Sequence, residues 1–255
     1  MRVDFYFTPH RNDELSLRDK NVVVIDVLRS STTIATALYH GAREIISVST
    51  IERAVKISDS LSGNAILRGG ERNGKMIEGF SLGNSPAEYT EEKVKGKSII
   101  FCSTNGSYAI ENARYARQLI VCGFVNISVA VAFLREEHTD FVIVCAGDNG
   151  LFSMEDTVCG GMLLHQLGKD TMHTMILSDS ALAALALYKS FGKNLLGMIK
   201  NSEHGRFLSE IGFDDDLAFC AGRDTIPVVP QLIENVIKLK AELNNGELRT
   251  AQVSV

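Results

Sequence analysis

Three stretches of this chain repeat one pattern: a short apolar run, a turn of small polar residues, and a helical stretch rich in alanine or glycine. They read VVVIDVLRSSTTIATAL at 22–38, SIIFCSTNGSYAIENA at 98–113 and FVIVCAGDNGLFSMEDTVCGG at 141–161. A strand that is apolar at every position has no face to offer water, so it must lie under helices on both sides. Alternation of such strands with helices predicts an α/β fold, a three-layer α/β/α arrangement around a largely parallel sheet. In that fold the turns emerge at the carboxyl ends of the strands, where ligands bind and free helix N–H groups favour anions.

The same reading places strands at 21–25, 44–48, 65–67, 98–102, 118–122 and 140–145. Helices are expected to begin near Ser31, Ile51, Ser107, Asn126 and Glu155. Farther along, 178–191 and 203–211 read as helices, 216–220 as a strand, and 231–244 as a closing helix led in by Pro227 and Pro230. With 255 residues and no low-complexity linker, residues 1–255 are expected to form a single unit or two closely packed lobes.

Composition narrows the partners. Hydrophobic residues make up 45% and charged residues 22%, and the net charge is −5, so neither long disorder nor a basic nucleic-acid footprint is indicated. No apolar run reaches the length of a membrane span, and the first residues, MRVDFYFTPHRNDE, lack a signal-peptide core. Cys102, Cys122, Cys145, Cys159 and Cys220 form no CxxC pair, and the reading is free thiols in a reducing cytoplasm. The oligomeric state is left open, with a homodimer as the assembly considered.

Five segments carry candidate chemistry. In Asp26-Val-Leu-Arg29-Ser30-Ser31-Thr32-Thr33, a carboxylate ends a buried strand, where it can hold a hard cation such as Mg²⁺ or simply cap the turn. Arg29 offers bidentate bonding to an anion, and Ser30, Ser31 and Thr32 offer hydroxyls. Next come RGGERNG (68–74) and GFSLGNSP (79–86), read as a long loop supplying Glu71, Arg72, Asn84 and Ser85. Ser103, Thr104, Asn105, Gly106 and Ser107 form an anion-suited turn that is equally a common structural device. Asp148, Glu155 and Asp156 are further acids, the last two also favoured by a helix dipole. Finally, EHGR contributes His204 and Arg206.

Several familiar chemistries are excluded by spacing. Position 28 is leucine, not the second aspartate of a haloacid-dehalogenase motif, and neither Cys102 nor Cys145 is followed at the sixth residue by arginine. No Walker loop, no GxGxxG opening a helix and no GxSxG elbow occurs.

Taken together and in this order, IDVLRSSTT, GGERNGKMIEGFSLGNSPAEY, STNGS, CAGDNGLFSMEDTVCGG and EHGRFLSEIGFDDDLAFCA resemble the 2-phosphosulfolactate phosphatase (ComB) family over about residues 1–230. The resemblance implies Mg²⁺-dependent hydrolysis of a small anionic phosphate ester of a 2-hydroxy acid, with sulfolactate as product on a route to coenzyme M. It departs from the family at Ser81, where an aspartate is implied. On this reading Asp26, Glu71, Asp148 and Asp156 are the candidate metal ligands. Asp26, Arg29, Glu155 and His204 are the catalytic candidates, and Arg72, Arg206, Asn84, Ser85, the 30–32 hydroxyls and the 104–107 turn hold substrate. An Asp26 nucleophile is the rival within the enzyme class. A non-catalytic anion-binding protein on the same scaffold is the alternative outside it.

Overall fold

A computed structural model describes residues 1–9, 15–61, 65–169, 174–244 and 247–250. The elements in chain order begin with β1 (Arg2–Tyr6), β2 (Asn21–Ile25), α1 (Ser30–Tyr39), β3 (Glu44–Ser47), α2 (Ile51–Ser60), β4 (Ile66–Arg72), β5 (Lys75–Met76), α3 (Glu91–Val94) and β6 (Ser98–Cys102). They continue with α4 (Gly106–Asn112), β7 (Gln118–Cys122), α5 (Ile127–Glu137), β8 (Phe141–Cys145), α6 (Met154–Leu167), β9 (Ile176–Leu177), α7 (Asp179–Phe191) and α8 (Leu195–Asn201). The last are α9 (Glu203–Glu210), α10 (Asp214–Cys220), β10 (Pro230–Ile233), β11 (Val236–Leu239), β12 (Ala241–Asn244) and β13 (Glu247–Thr250).

Among the described residues eleven strands form one sheet in the order β5-β4-β6-β3-β11-β10-β7-β2-β8-β1-β9. Two parallel segments make up most of it. One is β4, β6 and β3; the other is β7, β2, β8, β1 and β9. The antiparallel hairpin β10–β11 joins them, through Gln231 opposite Ile120 on one side and Ile237 opposite Ile45 on the other.

The all-apolar strands divide their residues between two cores, as pleating requires. On β2, Val22 and Val24 pack with Ile34 of α1, Ile110 of α4 and Phe101 of β6. Val23 and Ile25 turn the other way, toward Ile127 of α5 and Met162 of α6. On β6 the outer residues Ile100 and Cys102 meet Ala54 of α2. Each parallel segment is therefore α/β/α, and α1 and α4 form the helical layer that both segments share. Burying a side chain such as Ile25 or Phe101 contributes roughly 1.5–3 kcal/mol, so this shared layer fixes the turns at its ends with some force.

Four features differ from the sequence reading. The stretch expected as a helix at 231–244 is strand: Glu234 and Asn235 take φ of 53° and 65°, the paired left-handed residues of a tight hairpin turn. Ile237 is fully buried where the hairpin closes the gap between β3 and β7. The segment expected as a strand at 216–220 is α10, with Asp214, Asp215 and Asp216 in its first turn and Leu217 and Cys220 on one buried face. Residues 68–72, read as loop, belong to β4. There Gly70 has φ of 139°, and a Cβ on it would meet the Cys102 carbonyl oxygen at 1.9 Å, so only glycine lets β4 lie against β6. Strand β1 was not anticipated; its Val3 and Phe5 are core residues.

All five cysteines are free and buried, and no described helix is long and apolar enough to cross a membrane.

Candidate active site

The carboxyl ends of β2, β6 and β8 meet. Asp26 follows β2, is 5% exposed, and accepts the Ser30 N–H on Oδ1 at 3.4 Å. Its own N–H donates to Ser31 Oγ at 2.9 Å, and the Ser31 N–H returns to the Asp26 carbonyl at 2.9 Å. Ser31 is thus the brace of the turn, and Thr32 is tied to the Val27 carbonyl at 3.1 Å. Ser30 points across the site instead, donating to Ser103 Oγ at 2.9 Å. From there the hydroxyl chain continues to Ser107 Oγ at 3.2 Å. Ser103 opens the turn that the sequence reads as anion-suited.

Gly106 opens α4 directly against this turn. A Cβ there would lie 2.4 Å from Asp26 Oδ2 and 2.5 Å from Ser30 Oγ. The N–H groups of the 103–107 turn are unequally used. That of Thr104 goes to Glu71 Oε1 at 2.7 Å and that of Ser107 to Ser103 Oγ at 3.0 Å. Among the described residues no protein acceptor takes the N–H of Asn105 or Gly106.

Four buried acids crowd the other side: Asp26, Glu71, Glu155 and Asp156. Burial pushes the Asp26 carboxyl up from 3.8 to about 6; the Ser30 hydrogen bond and the His204 charge pull it back, and Glu71 pushes it further. Burial, then Asp26 and Glu155, holds Asp156 well above the usual carboxylate range. The Asp156 oxygens accept the N–H groups of Val27 at 2.8 Å and Gly147 at 3.2 Å, which pins the α6 end to β2. Glu71 is likewise held on both oxygens, the second by the Gly74 N–H at 2.9 Å. Among the described residues Asp26 Oδ2 and Glu155 have no such backbone partner. Asp148 turns outward: its Oδ1 accepts from Asn105 Nδ2 at 3.3 Å and Asn149 Nδ2 at 2.9 Å.

The arginines are placed differently from what their sequence context suggests. Arg29 is 2% exposed and donates to Asp216 Oδ2 at 2.7 Å and to the Gly74 carbonyl at 2.6 Å, with its guanidinium 4.3 Å from the Phe213 ring centre. Arg72 donates to the Ser49 carbonyl at 2.6 Å and lies 3.2 Å from Cys102 Sγ. Arg206 is exposed and donates to the Asn201 carbonyl. Ser85 donates to Asp216 Oδ1 at 2.6 Å, and among the described residues the buried Oδ1 of Asn84 has no partner. Ser81 is exposed, and its N–H donates to the Arg68 carbonyl of β4 at 2.9 Å.

Beside the turns a cleft of about 410 Å³ opens, lined in part by Thr50, Thr104, Asn105, Tyr108, Asn149 and Gly150. A larger cavity, about 680 Å³, lies by the C-terminal end of α1 and β11, away from the acids. Among the described residues no three His, Cys, Asp or Glu side chains form a metal cage.

Fold and site together define an α/β protein whose strand-end turns bring buried carboxylates beside backbone N–H groups that no described acceptor takes. Residues 6–235 match the 2-phosphosulpholactate phosphatase family, and the chain belongs to that family. A protein of Caldanaerobacter subterraneus is 38% identical over 93% of this chain and 98% of its own length. One from Clostridium acetobutylicum is 36% identical over 91% and 97%, and one from Thermotoga maritima 39% over 87% and 92%. Each bears the name "Probable 2-phosphosulfolactate phosphatase".

Proposed function

We propose that this chain hydrolyses a phosphate monoester of a small 2-hydroxy acid with the help of Mg²⁺, and that its substrate is 2-phosphosulfolactate, released as sulfolactate and phosphate. The sulfolactate would serve a coenzyme M type of pathway. The observation that carries the reading is the pairing, across one turn, of unopposed carboxylates with unbonded N–H groups.

The donor set suits the metal. Oxygen ligands fit a hard cation, and Mg²⁺ keeps several waters, so one or two carboxylates hold it without a cage of three. Among the described residues Asp26 Oδ2 and Glu155 accept no backbone N–H, and burial first, then neighbouring carboxylates, push the Asp26 and Asp156 carboxyls up. Bound there, Mg²⁺ would offset charge on the phosphoryl oxygens and make a bound water more acidic. Asp156 and Glu71 are oriented by one N–H donor on each oxygen, and the remaining lone pairs leave both as candidate ligands.

The Asn105 and Gly106 N–H groups and the Ser30, Ser103 and Ser107 hydroxyls would hold the phosphoryl oxygens. Such donors are effective because they are fixed before charge develops; losing one typically costs about 10²–10³ in rate. His204, close enough to Asp26 to draw its carboxyl downward, would give the proton to the leaving alkoxide.

The test is phosphate release from 2-phosphosulfolactate and 2-phospholactate, in Mg²⁺ and in EDTA, by wild type and Asp26→Asn. Release from the sulfonate ester that needs Mg²⁺ and disappears in the variant supports the full reading. Preference for phospholactate changes the substrate, release in EDTA removes the metal, and binding without release leaves an anion-binding protein.

A further inference from the structure

Arg29 is buried and committed to Asp216, the Gly74 carbonyl and the Phe213 ring, yet it lies three residues from Asp26. Its partners form a continuous line. Ser85 Oγ donates to Asp216 Oδ1 at 2.6 Å, and Arg29 Nη1 donates to Asp216 Oδ2 at 2.7 Å. Arg29 Nη2 donates to the Gly74 carbonyl at 2.6 Å, and the Gly74 N–H donates to Glu71 Oε2 at 2.9 Å. Glu71 Oε1 then takes the Thr104 N–H at 2.7 Å. The line starts on α10, crosses the β4–β5 turn and ends on the turn whose next two N–H groups are unbonded.

We infer that Asp216 is a positioning residue: through Arg29, Gly74 and Glu71 it sets the 103–107 turn at the height where the Asn105 and Gly106 N–H groups meet a phosphoryl group. The inference rests on the proposed reading of that turn as the phosphate site. A buried ion pair adds little net stability over apolar residues of similar volume. What the planar guanidinium supplies is direction, since it donates along fixed lines to Asp216 and to Gly74 at once. Phe213 covers its face and keeps the plane from rotating. Displacement of a binding turn by about 1 Å can cost about 10²-fold in rate, and loss of outer supporting partners typically costs about 10–100-fold.

The experiment measures, on the full chain with Mg²⁺ present, the affinity for inorganic phosphate by calorimetry together with kcat and KM. Asp216→Asn is expected to weaken phosphate binding and lower kcat, each by about 10–100-fold, while circular dichroism shows a retained fold. Asp216→Glu should recover part of the loss. Glu71→Gln breaks the same line farther down, so Asp216→Asn/Glu71→Gln should be no worse than the weaker-binding single variant, whereas independent structural damage would add. Unchanged phosphate affinity in folded Asp216→Asn, or additive losses in the pair, overturns the inference. If Asp216→Asn does not fold, Arg29→Lys, which keeps the buried charge but loses the two fixed donor lines to Asp216 and Gly74, takes its place in the same cycle with the same two outcomes. Wild type that binds phosphate but cleaves no ester refutes the hydrolase while the affinity cycle still decides the role of Asp216; wild type that binds no phosphate overturns both.

Discussion

Asp26→Asn should make the metal-free protein more stable at neutral pH while abolishing its activity. The wild-type carboxyl titrates at about 6 in the folded chain against 3.8 ordinarily, chiefly because it is buried. At 1.36 kcal/mol per pH unit, keeping it ionised in the fold costs about 3 kcal/mol. The folded pKa lies above the unfolded one, so between those values the folded chain binds more protons. Wild-type stability therefore falls as pH rises from 3.8 to about 6 and stays low above that. Asparagine removes the charge and keeps an oxygen for the Ser30 N–H, so most of that penalty should vanish. For a chain of this length each kcal/mol moves Tm by about 2–4 °C, giving a gain of roughly 5–10 °C in EDTA that fades below pH 4. Adding Mg²⁺ should close the gap from the wild-type side, since a ligand at a hundred times its Kd stabilises by about 2.7 kcal/mol and the variant lacks the leading ligand. Thermal melts of both proteins across pH, with EDTA and with Mg²⁺, read all of this. An Asn variant less stable than wild type at neutral pH in EDTA, or a difference that does not change with pH, would refute the electrostatic reasoning.

Gly106→Ala places a Cβ 2.4 Å from Asp26 Oδ2, and a misplacement of about 1 Å is worth about 10²-fold; steady-state assays should show kcat/KM falling by about that factor, with about 1–3 kcal/mol lost in urea unfolding. Arg29→Ala leaves Asp216 as a buried unpaired charge and should cost about 3–5 kcal/mol, read by the same unfolding curves. Because Cys102, Cys122, Cys145, Cys159 and Cys220 are all buried, a thiol reagent should label the native protein slowly and all five sites at once in denaturant.

The sheet's centre is legible in the sequence because its strands are apolar on both faces. β2, β6 and β7 begin and end where the runs NVVVI, SIIFC and QLIVC do, and no competing helical period obscures them. The hairpin β10–β11 is not legible. QLIENVIKLKAELNN carries lysine, glutamate and leucine at helical spacing, and what overrides that propensity is the long-range gap that Ile237 fills between two sheet segments. RGGER reads as loop for a related reason: its glycines signal flexibility in isolation, but Gly70 is required by the closeness of β6. The DDDLAF stretch is short enough that its apolar residues fit either period, and the acids of a first helical turn decide it.

The candidate site was legible as an inventory rather than as an arrangement. Sequence can nominate every acid near a strand end, but it does not say which oxygens the backbone already holds. Asp156 and Glu71 each accept two N–H groups, which orients them, while among the described residues Asp26 Oδ2 and Glu155 accept no backbone N–H. The same sorting applies to cations. Arg29 and Arg72 lie in the segments that carry the family resemblance, yet their guanidinium groups are committed to Asp216 and to carbonyls. A phosphoryl group would therefore be met by N–H groups and hydroxyls, with counter-charge from outside the polypeptide. Buried acids beside the turn repel an anionic ester until a cation enters, so metal binding should precede substrate binding. Calorimetry with inorganic phosphate then has a definite expectation: no binding in EDTA, and binding restored by Mg²⁺. Phosphate affinity that is equal with and without the metal would show that the turn alone suffices and that the four acids serve another purpose.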